Sequence, residues 1–229
     1  LLMARQGTTV AVSARSPDDL AGLAAAGGGR IVAFPLDVTD AVACAATVAR
    51  IESDLGPIDQ AILNAGTHVP DTAATFATGP ARRVIETNLM GTIHGLAPLM
   101  ERFVARRRGR IAVVASMAGY AGLPGAAAYG ASKAGTIALC EALRPDLARH
   151  GVVLQVVNPG FVRTPLTDRN DFPMPFMIEA EDAAQRIIKG LATDRFEIAF
   201  PRRLGVWMRL LRRLPYPLFF AVTKRMLRG

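Results

Sequence analysis

Cysteine and histidine, the residues from which disulfide frameworks and many metal sites are built, are scarce in this sequence. Its 229 residues include two cysteines and three histidines. Cys44 and Cys140 lie far apart in apolar stretches, and the histidines have no ligand spacing to one another. We therefore expect two buried, unreactive thiols in a reducing compartment, with no disulfide and no metal site.

Long hydrophobic runs are also missing. No run reaches the roughly 18–20 apolar residues that a membrane-spanning helix needs, and the first residues do not resemble a secretory signal. Aromatic residues make up only 6% of the chain, which favours close-packed helices on a sheet over an aromatic-rich β-sandwich. We expect a cytoplasmic protein built as one large domain.

Acidic residues are nearly absent from the C-terminal end. Residues 195–229 hold nine basic side chains and one acidic side chain, Glu197, so their net charge of +8 equals that of the whole chain. The remainder is therefore neutral. An electrostatic partner is expected to meet this end of the chain and not the main body.

Strand-like and helical segments alternate along the rest of the chain. Short apolar runs rich in β-branched residues are typical of parallel strands that helices cover on both faces. They occur at 8–14, 31–36, 58–63, 110–115, 152–157 and 196–200. Capping residues and apolar spacing predict helices after Ser16 and after Asp40, and at 81–107, 127–149 and 179–192. The pattern predicts an α/β fold with a doubly wound parallel sheet over residues 1–201, followed by a basic amphipathic tail at 202–229.

Polar or conformationally permissive residues follow five successive predicted strands. In a parallel sheet, ligands bind beyond the carboxyl ends of the strands, where helix N-termini offer free N–H groups. The residues at these ends are Arg15, Asp37, Asn64-Ala65-Gly66, Ser116 and Asn158-Pro159-Gly160. We expect them to converge on one crevice.

Tyr129 and Lys133 carry the strongest chemical signal. They stand four residues apart in a predicted helix, so both side chains project from one face. Ser116 ends a strand 13 residues before Tyr129, and a glycine-containing loop can return the chain to the same crevice. A nearby ammonium is expected to lower the pKa of a phenol, so Tyr129 would transfer the proton in carbonyl reduction while Ser116 holds the oxygen.

Several motifs together resemble the short-chain dehydrogenase/reductase family over residues 1 to about 201. They are Asp37-Val38, Leu63-Asn64-Ala65-Gly66, Asn88, Ser116, Tyr129-Gly130-Ala131-Ser132-Lys133 and Pro159-Gly160-Phe161-Val162-Arg163-Thr164. The resemblance implies a Rossmann-like fold, a dinucleotide cofactor and a homodimer or homotetramer.

The resemblance also implies residue roles. The adenosine side of the cofactor would be lined by Asp37, Val38, Asn64, Ala65 and Gly66. The nicotinamide side would meet Pro159, Gly160, Val162 and Thr164. Tyr129 and Lys133 would contact the nicotinamide ribose, and Asn88 would hold a water that connects Lys133 to solvent. Taken singly, Asn88 could instead bond its own backbone and Pro159-Gly160 could form a simple turn.

The cofactor preference is argued from charge. Where an enzyme specific for NAD would place an acid to bind the ribose 2′-hydroxyl, this chain has Ala14 followed by Arg15. A guanidinium binds a 2′-phosphate, so we expect NADP(H) in preference to NAD(H). The alternative is that Arg15 is only a solvated loop charge.

The family's glycine-rich pyrophosphate loop and the strand before it do not occur in the sequence. Residues 1–7 look like the end of the helix that would follow that loop. We expect the sequence to be the remainder of a longer polypeptide, because a sheet without its central strand leaves ladder groups unpaired. The alternative is a truncated product that cannot hold a dinucleotide.

Residues 164–178 are expected to cover the substrate. Phe172, Met174, Phe176 and Met177 make this segment apolar, which favours a hydrophobic small-molecule substrate, although the same side chains could simply pack on the body. The function predicted is therefore an NADP(H)-dependent oxidoreductase that interconverts a carbonyl and a secondary alcohol. The alternative is a catalytically idle dinucleotide-binding sensor or tether that acts through its basic tail.

The tail is predicted to form an amphipathic helix at 203–214. Its apolar face would consist of Leu204, Trp207, Met208, Leu211 and Leu214, with Arg209, Arg212 and Arg213 on the other side. This pattern is typical of a helix that lies on an anionic membrane, although it also fits a subunit contact or a substrate cover. The apolar stripe argues against nucleic-acid binding.

Overall fold

The computed structural model describes residues 1–169 and 174–227. These residues form six strands, all in parallel pairings. Strand β1 (Val10–Val12) pairs with β2 (Ile31–Ala33) in one sheet. The second sheet has the order β3-β4-β5-β6, formed by Gln60–Leu63, Gly109–Val114, Val152–Pro159 and Glu197–Phe200.

Helices connect the strands in the predicted alternation. The described helices are α1 (Leu2–Arg5), α2 (Pro17–Ala26), α3 (Ala41–Leu55), α4 (Thr78–Ile85), α5 (Gly91–Arg106), α6 (Ala127–Arg149), α7 (Ala180–Leu191), α8 (Arg202–Arg213) and α9 (Tyr216–Lys224). Ser16 and Asp40 cap α2 and α3 through their side chains, as the capping pattern predicts.

The α/β class and the parallel pairing are confirmed, and each predicted strand run contains a strand. Two details differ. The sheet is divided into two parts, because the described residues contain no strand that pairs with both β1 and β3. The single helix expected at 81–107 is two helices, α4 and α5, joined by a π-helical turn at Glu86–Met90.

The core lies on both faces of β4 and β5. Ile111 and Val113 face the layer of α3, α5 and α6, where Phe103 is fully buried. Ala112, between them, faces α7 on the other side. This alternation explains why the strand reads as a continuous apolar run, since each face is covered and each buried large side chain contributes about 1.5–3 kcal/mol.

Both cysteines are free and buried, as expected. Burial raises the pKa of Cys140 to about 12, so this thiol stays protonated at neutral pH.

Helices α8 and α9 pack against the body of the protein. Met208 and Leu211 of α8 and Phe219 of α9 are buried with Met117 and Ala121, which directly follow β4. Trp207, expected on the apolar face, is 68% exposed and lies at the margin of the buried stripe. Among the described residues, no helix combines the length and apolar character needed to span a membrane.

Candidate active site

Ser116 stands where β4 leaves the sheet. It is the first residue of a tight turn, and its hydroxyl accepts a hydrogen bond from the backbone N–H of Ala118 at 3.1 Å. The turn fixes the direction of the serine side chain at the carboxyl end of a buried strand, where ligands of parallel sheets bind.

Tyr129 and Lys133 lie on consecutive turns at the start of α6. The Lys133 Nζ atom is 5.8 Å from the centroid of the Tyr129 ring. It donates a hydrogen bond to the carbonyl oxygen of Val114 at 2.9 Å, so the lysine reaches the end of the strand that leads to Ser116. The structure therefore brings Ser116, Tyr129 and Lys133 into one place.

The expected lowering of the Tyr129 pKa is wrong for this structure. Burial raises the pKa of Tyr129 above its ordinary value, and the adjoining Ser116 hydroxyl opposes this only in part. Burial also lowers the pKa of Lys133 to about 8, because a buried ammonium loses its hydration. The phenol consequently keeps its proton at neutral pH.

Asn88 is fully buried in the π-helical turn between α4 and α5. Its Oδ1 accepts from the backbone N–H of Thr67 at 2.7 Å, and its Nδ2 donates to the Thr67 carbonyl oxygen and to Ser132 Oγ, both at 2.9 Å. Asn88 thus joins the loop after β3 to the helix that carries Tyr129, and its side chain bonds neighbouring segments and not its own backbone. Such π turns are frequent at functional sites.

Arg15 and Asp37 follow β1 and β2 at the edge where an adenosine would bind. Both side chains are exposed. The backbone and side chain of Thr39 donate hydrogen bonds that hold the pKa of Asp37 below its ordinary value, and the Arg15 charge adds to this effect. Val38, the next residue, packs against Gly91, where a β-carbon would come within 2.7 Å of its side chain.

The backbone of Gly66 lies against Asn88 and Lys133. A β-carbon at Gly66 would be 3.5 Å from both Asn88 Oδ1 and Lys133 Nζ. The preceding residues, Asn64 and Ala65, are exposed at the end of β3. The loop from Asn64 to Gly66 therefore borders the same crevice as Lys133.

The residues expected on the nicotinamide side occupy the end of β5 and the loop after it. Gly160 donates a hydrogen bond to the Phe200 carbonyl oxygen at 2.8 Å, which fixes the chain after Pro159. Val162 forms a parallel bridge with Ile178, and the Thr164 N–H donates to Thr167 Oγ1 at 2.9 Å. Phe172, expected in the covering segment, lies outside the described residues.

Sequence analysis missed two residues beside Tyr129. The ring of His68 meets the Tyr129 ring edge-on, with 4.8 Å between centroids and 70° between planes. Burial lowers the pKa of His68, so the imidazole is neutral, and its buried Nδ1 has no hydrogen-bond partner among the described residues. Asp71 accepts from the N–H groups of Ala127 and Ala128 at 2.7 and 2.9 Å. His68 could have been suspected from its position just after Gly66, but Asp71 caps a helix 56 residues away and leaves no local pattern.

A parallel sheet between helix layers, with a serine, a tyrosine and a lysine together at its carboxyl edge, defines a dinucleotide-binding oxidoreductase. The family model described as short chain dehydrogenase matches residues 1–172. An uncharacterized oxidoreductase of Myxococcus xanthus is 37% identical over 229 residues, which cover 99% of this chain and 90% of the relative. The chain therefore belongs to the short-chain dehydrogenase/reductase family and is an enzyme of that type.

Solved structures agree on the fold. A short-chain dehydrogenase/reductase from Burkholderia phymatum in complex with NAD has a TM-score of 0.82 and 22% identity, and the match covers 90% of this chain and 85% of that one. The structure of ElxO with NADP bound has a TM-score of 0.77 and 22% identity, with 86% and 90% covered. One neighbour thus holds NAD and the other NADP, so the fold is an NAD(P)-binding fold and the preference of this chain is a separate matter.

Proposed function

We propose that this enzyme is an NADP(H)-dependent oxidoreductase that interconverts a carbonyl and a secondary alcohol on a hydrophobic small molecule. The observation that carries the proposal is the convergence of Ser116, Tyr129 and Lys133 at the end of β4. NADPH, when bound, supplies the hydride, and the protein has to orient the carbonyl and deliver a proton to its oxygen.

Each of the three side chains has one task in the proposed mechanism. Ser116 donates a hydrogen bond that orients the carbonyl oxygen and stabilises the negative charge that develops on it. Tyr129 gives its phenolic proton, which it holds at neutral pH, to that oxygen. Lys133, with a pKa of about 8, can then return a proton to the phenolate.

The remaining residues support the cofactor and the proton path. We propose that Asp37, Val38, Asn64, Ala65 and Gly66 border the adenosine side, and that Pro159, Gly160, Val162 and Thr164 border the nicotinamide. The Gly66 backbone approaches Lys133, so the loop that would line the adenosine side leads to the residue that would bind the nicotinamide ribose, which supports one continuous cofactor site. Asn88 is proposed to connect Lys133 to solvent through a water.

The proposed preference for NADP(H) depends on Arg15. Its exposed guanidinium follows β1, close enough to Asp37 to lower the pKa of that carboxyl, and a guanidinium at this strand end supports binding of a ribose 2′-phosphate. Changing Arg15 to Asp should raise the KM for NADPH and lower that for NADH. An unchanged ratio of kcat/KM values for the two cofactors would contradict the assignment.

The apolar segment after Thr164 supports a hydrophobic substrate. Phe176 is 49% exposed and lies close in the chain to Ile178, which bridges to Val162. An exposed aromatic ring beside the nicotinamide-side loop provides apolar surface for a substrate to cover.

We also propose a cytoplasmic homo-oligomer that makes peripheral contact with an anionic membrane through its tail. Residues 202–227 contain seven basic and no acidic side chains, which supports an anionic partner.

The experiment that tests the reaction is a panel of ketones and aldehydes incubated with NADPH. We expect NADPH oxidation that is fastest with apolar carbonyl compounds and that falls about 100-fold or more in a Ser116→Ala variant, the typical cost of losing one hydrogen-bond donor to the reacting oxygen. Full activity in that variant would contradict the role of Ser116. No oxidation with any carbonyl compound would contradict the proposed reaction.

A further inference from the structure

The outward side of the C-terminal helices is unusually apolar for a surface. The residues concerned are Val206, Trp207 and Leu210, which lie within about 100° of one another around α8, and Tyr216 and Phe220, which lie one turn apart on α9. We call them the outer tail surface; each is at least 50% exposed. The rings of Tyr216 and Phe220 stack with 5.7 Å between their centroids, so they form a continuous aromatic patch. Contiguous exposed apolar patches of this kind mark interaction sites.

Charge decides what can cover this surface. Arg203, Arg212, Arg213 and Lys224 accompany the apolar side chains on the same two helices, and residues 198–229 contain no acid. A second copy of the chain would meet the patch with an identical patch, because a two-fold contact is isologous, and cations would face cations without a carboxylate to pair them. A nucleic acid would leave the exposed aliphatic side chains of Val206 and Leu210 without a role. An anionic lipid surface satisfies both the charge and the apolar side chains.

The inner side of the same helices forms part of the wall of the catalytic site. Met117, the neighbour of Ser116, is buried against Met208 and Phe219. A β-carbon at Gly160 would come within 2.8 Å of Leu204, and one at Gly205 within 3.1 Å of Met117. Only the thickness of α8, about 10 Å with its side chains, separates the outer tail surface from the segment that carries Ser116.

We infer that the enzyme docks on an anionic bilayer through the outer tail surface and takes an apolar carbonyl compound that is dissolved in that bilayer. The inference rests on the proposed carbonyl reduction and on the proposed membrane contact, and it adds the docking face and the source of the substrate. When the outer tail surface is seated in the headgroup layer, Ser116 lies about one helix diameter above it. An apolar compound then reaches the site without crossing bulk water.

Trp207 makes the docking directly measurable because it is the chain's only tryptophan. With vesicles of phosphatidylcholine and phosphatidylglycerol in equal parts, its fluorescence should shift to the blue and be quenched by brominated acyl chains. With phosphatidylcholine alone, neither change is expected. An unchanged spectrum with anionic vesicles would overturn the inference, and so would a blue shift that appears without lipid as protein concentration rises, because that result indicates a second copy on the patch.

Paired arginine variants distinguish vesicle binding through the outer tail surface from vesicle binding through positive charge elsewhere on the protein. Arg203→Gln with Arg213→Gln, which flank Val206 and Leu210 on α8, should weaken vesicle binding roughly tenfold to thirtyfold, since each basic residue near an anionic surface contributes on the order of 1 kcal/mol. The matched control is Arg82→Gln with Arg83→Gln, an exposed arginine pair on α4, which should bind as the unchanged protein does. Equal losses from the two pairs would contradict docking through the tail.

The substrate source is tested with two ketones and NADPH. A long-chain methyl ketone carried in anionic vesicles should be reduced at least tenfold more slowly by the Arg203/Arg213 variant, whereas acetone in solution should be reduced at the same rate by the variant and the unchanged protein. Equal rates for the long-chain ketone would overturn the inference while leaving carbonyl reduction intact. If neither ketone oxidised NADPH, the proposed reaction would fail, and the Trp207 signal would still decide the docking independently.

Discussion

Lys133 is a buried amine, and its burial has opposite consequences for stability and for chemistry. Its side chain is 4% exposed and finds one protein acceptor, the Val114 carbonyl oxygen. The loss of hydration lowers its pKa from 10.5 to about 8, which makes the amine able to exchange protons near neutral pH. The same loss destabilises the charged form in the folded protein.

Changing Lys133 to Met should therefore stabilise the protein while abolishing the proposed proton return. Below pH 8 the amine is charged in both the folded and the unfolded chain, and the folded state carries the full cost, on the order of 3 kcal/mol. Loss of the hydrogen bond to Val114 offsets part of the stability that is gained when this charge is removed. We expect the free energy of unfolding to rise by about 1–3 kcal/mol at pH 7.

The pH dependence distinguishes this explanation from improved packing. Between pH 8 and 10.5 only the unfolded chain stays charged at Lys133, so the gain should shrink as pH rises. Urea unfolding at pH 7 and pH 9.5 measures this gain in the free energy of unfolding. The exposed Lys189→Met variant should change stability by less than about 0.5 kcal/mol at either pH. A gain for Lys133→Met that is equal at both pH values would contradict desolvation as the cause.

Helix α6 carries Tyr129 and Lys133, and a residue from outside the helix anchors its first turn. Asp71 accepts hydrogen bonds from Ala127 and Ala128 and is itself buried, so the start of α6 is fixed to the loop after β3. Asn88 makes a second connection between that loop and α6 through Ser132. The loop after β3, which is proposed to border the cofactor, thereby fixes the position of the first turns of α6.

Removing the Asp71 carboxylate should reduce both stability and activity. Asp71→Ala removes the acceptor of the Ala127 and Ala128 N–H groups, the second of them buried, for an expected loss of about 1–2 kcal/mol, and frees the helix turn that holds Tyr129. Asp40→Ala is the matched control, because Asp40 caps α3, a different helix from the one that carries Tyr129, through a hydrogen bond from Ala43 at 2.9 Å. Thermal unfolding should show a comparable loss in both variants, with kcat reduced only in Asp71→Ala. Equal kcat values would show that the cap does not position Tyr129.

The extent of sequence-based prediction differs between kinds of element. The strands were predictable because burial on both faces leaves only apolar, β-branched residues, as in Ile111 to Val114. The π-helical turn at Asn88 could not be predicted, because a turn with one extra residue has no residue composition of its own. The contact of Asp71 with α6 depends on two segments that meet only in the folded chain.

At the scale of the whole molecule, the tail shows what an amphipathic helical pattern can predict and what it cannot. Amphipathic spacing correctly indicated that α8 has an apolar stripe, yet the pattern does not state what covers it. In the structure that stripe packs on Met117, and Trp207 lies exposed at its margin. The side chains available to a membrane are therefore a different set from the one that the helical spacing predicts.

Glu197 connects the tail to both the sheet and the segment after Ser116. Its carboxylate accepts hydrogen bonds from Tyr120, from Asn158 at 2.8 Å and from Arg209 at 3.0 Å. Burial, followed by the interaction with Glu197, raises the pKa of Tyr120 to about 12. The strand β6, the tail helix α8 and the active-site segment are thus joined by one acidic side chain.

A Glu197→Gln variant should loosen the tail. The amide loses the negative charge that holds Arg209 and one acceptor site, which we expect to destabilise the protein by about 1–3 kcal/mol and to speed tryptic cleavage at the arginines of α8. Glu179→Gln, which breaks an exposed pair with Arg163, should cost less than about 1 kcal/mol. Identical cleavage rates in the two variants would contradict the role of Glu197 as the connecting residue.

The central claim is that the Tyr129 phenol gives its proton to a carbonyl oxygen at the end of β4. The most direct measurement compares Tyr129→Phe with Tyr216→Phe, which removes an exposed hydroxyl from the tail. With NADPH and a soluble ketone, we expect kcat of Tyr129→Phe to fall by at least 100-fold while its Kd for NADPH stays within about threefold of the unchanged protein, and Tyr216→Phe to retain full activity. Turnover by Tyr129→Phe at the rate of the unchanged enzyme would contradict the claim.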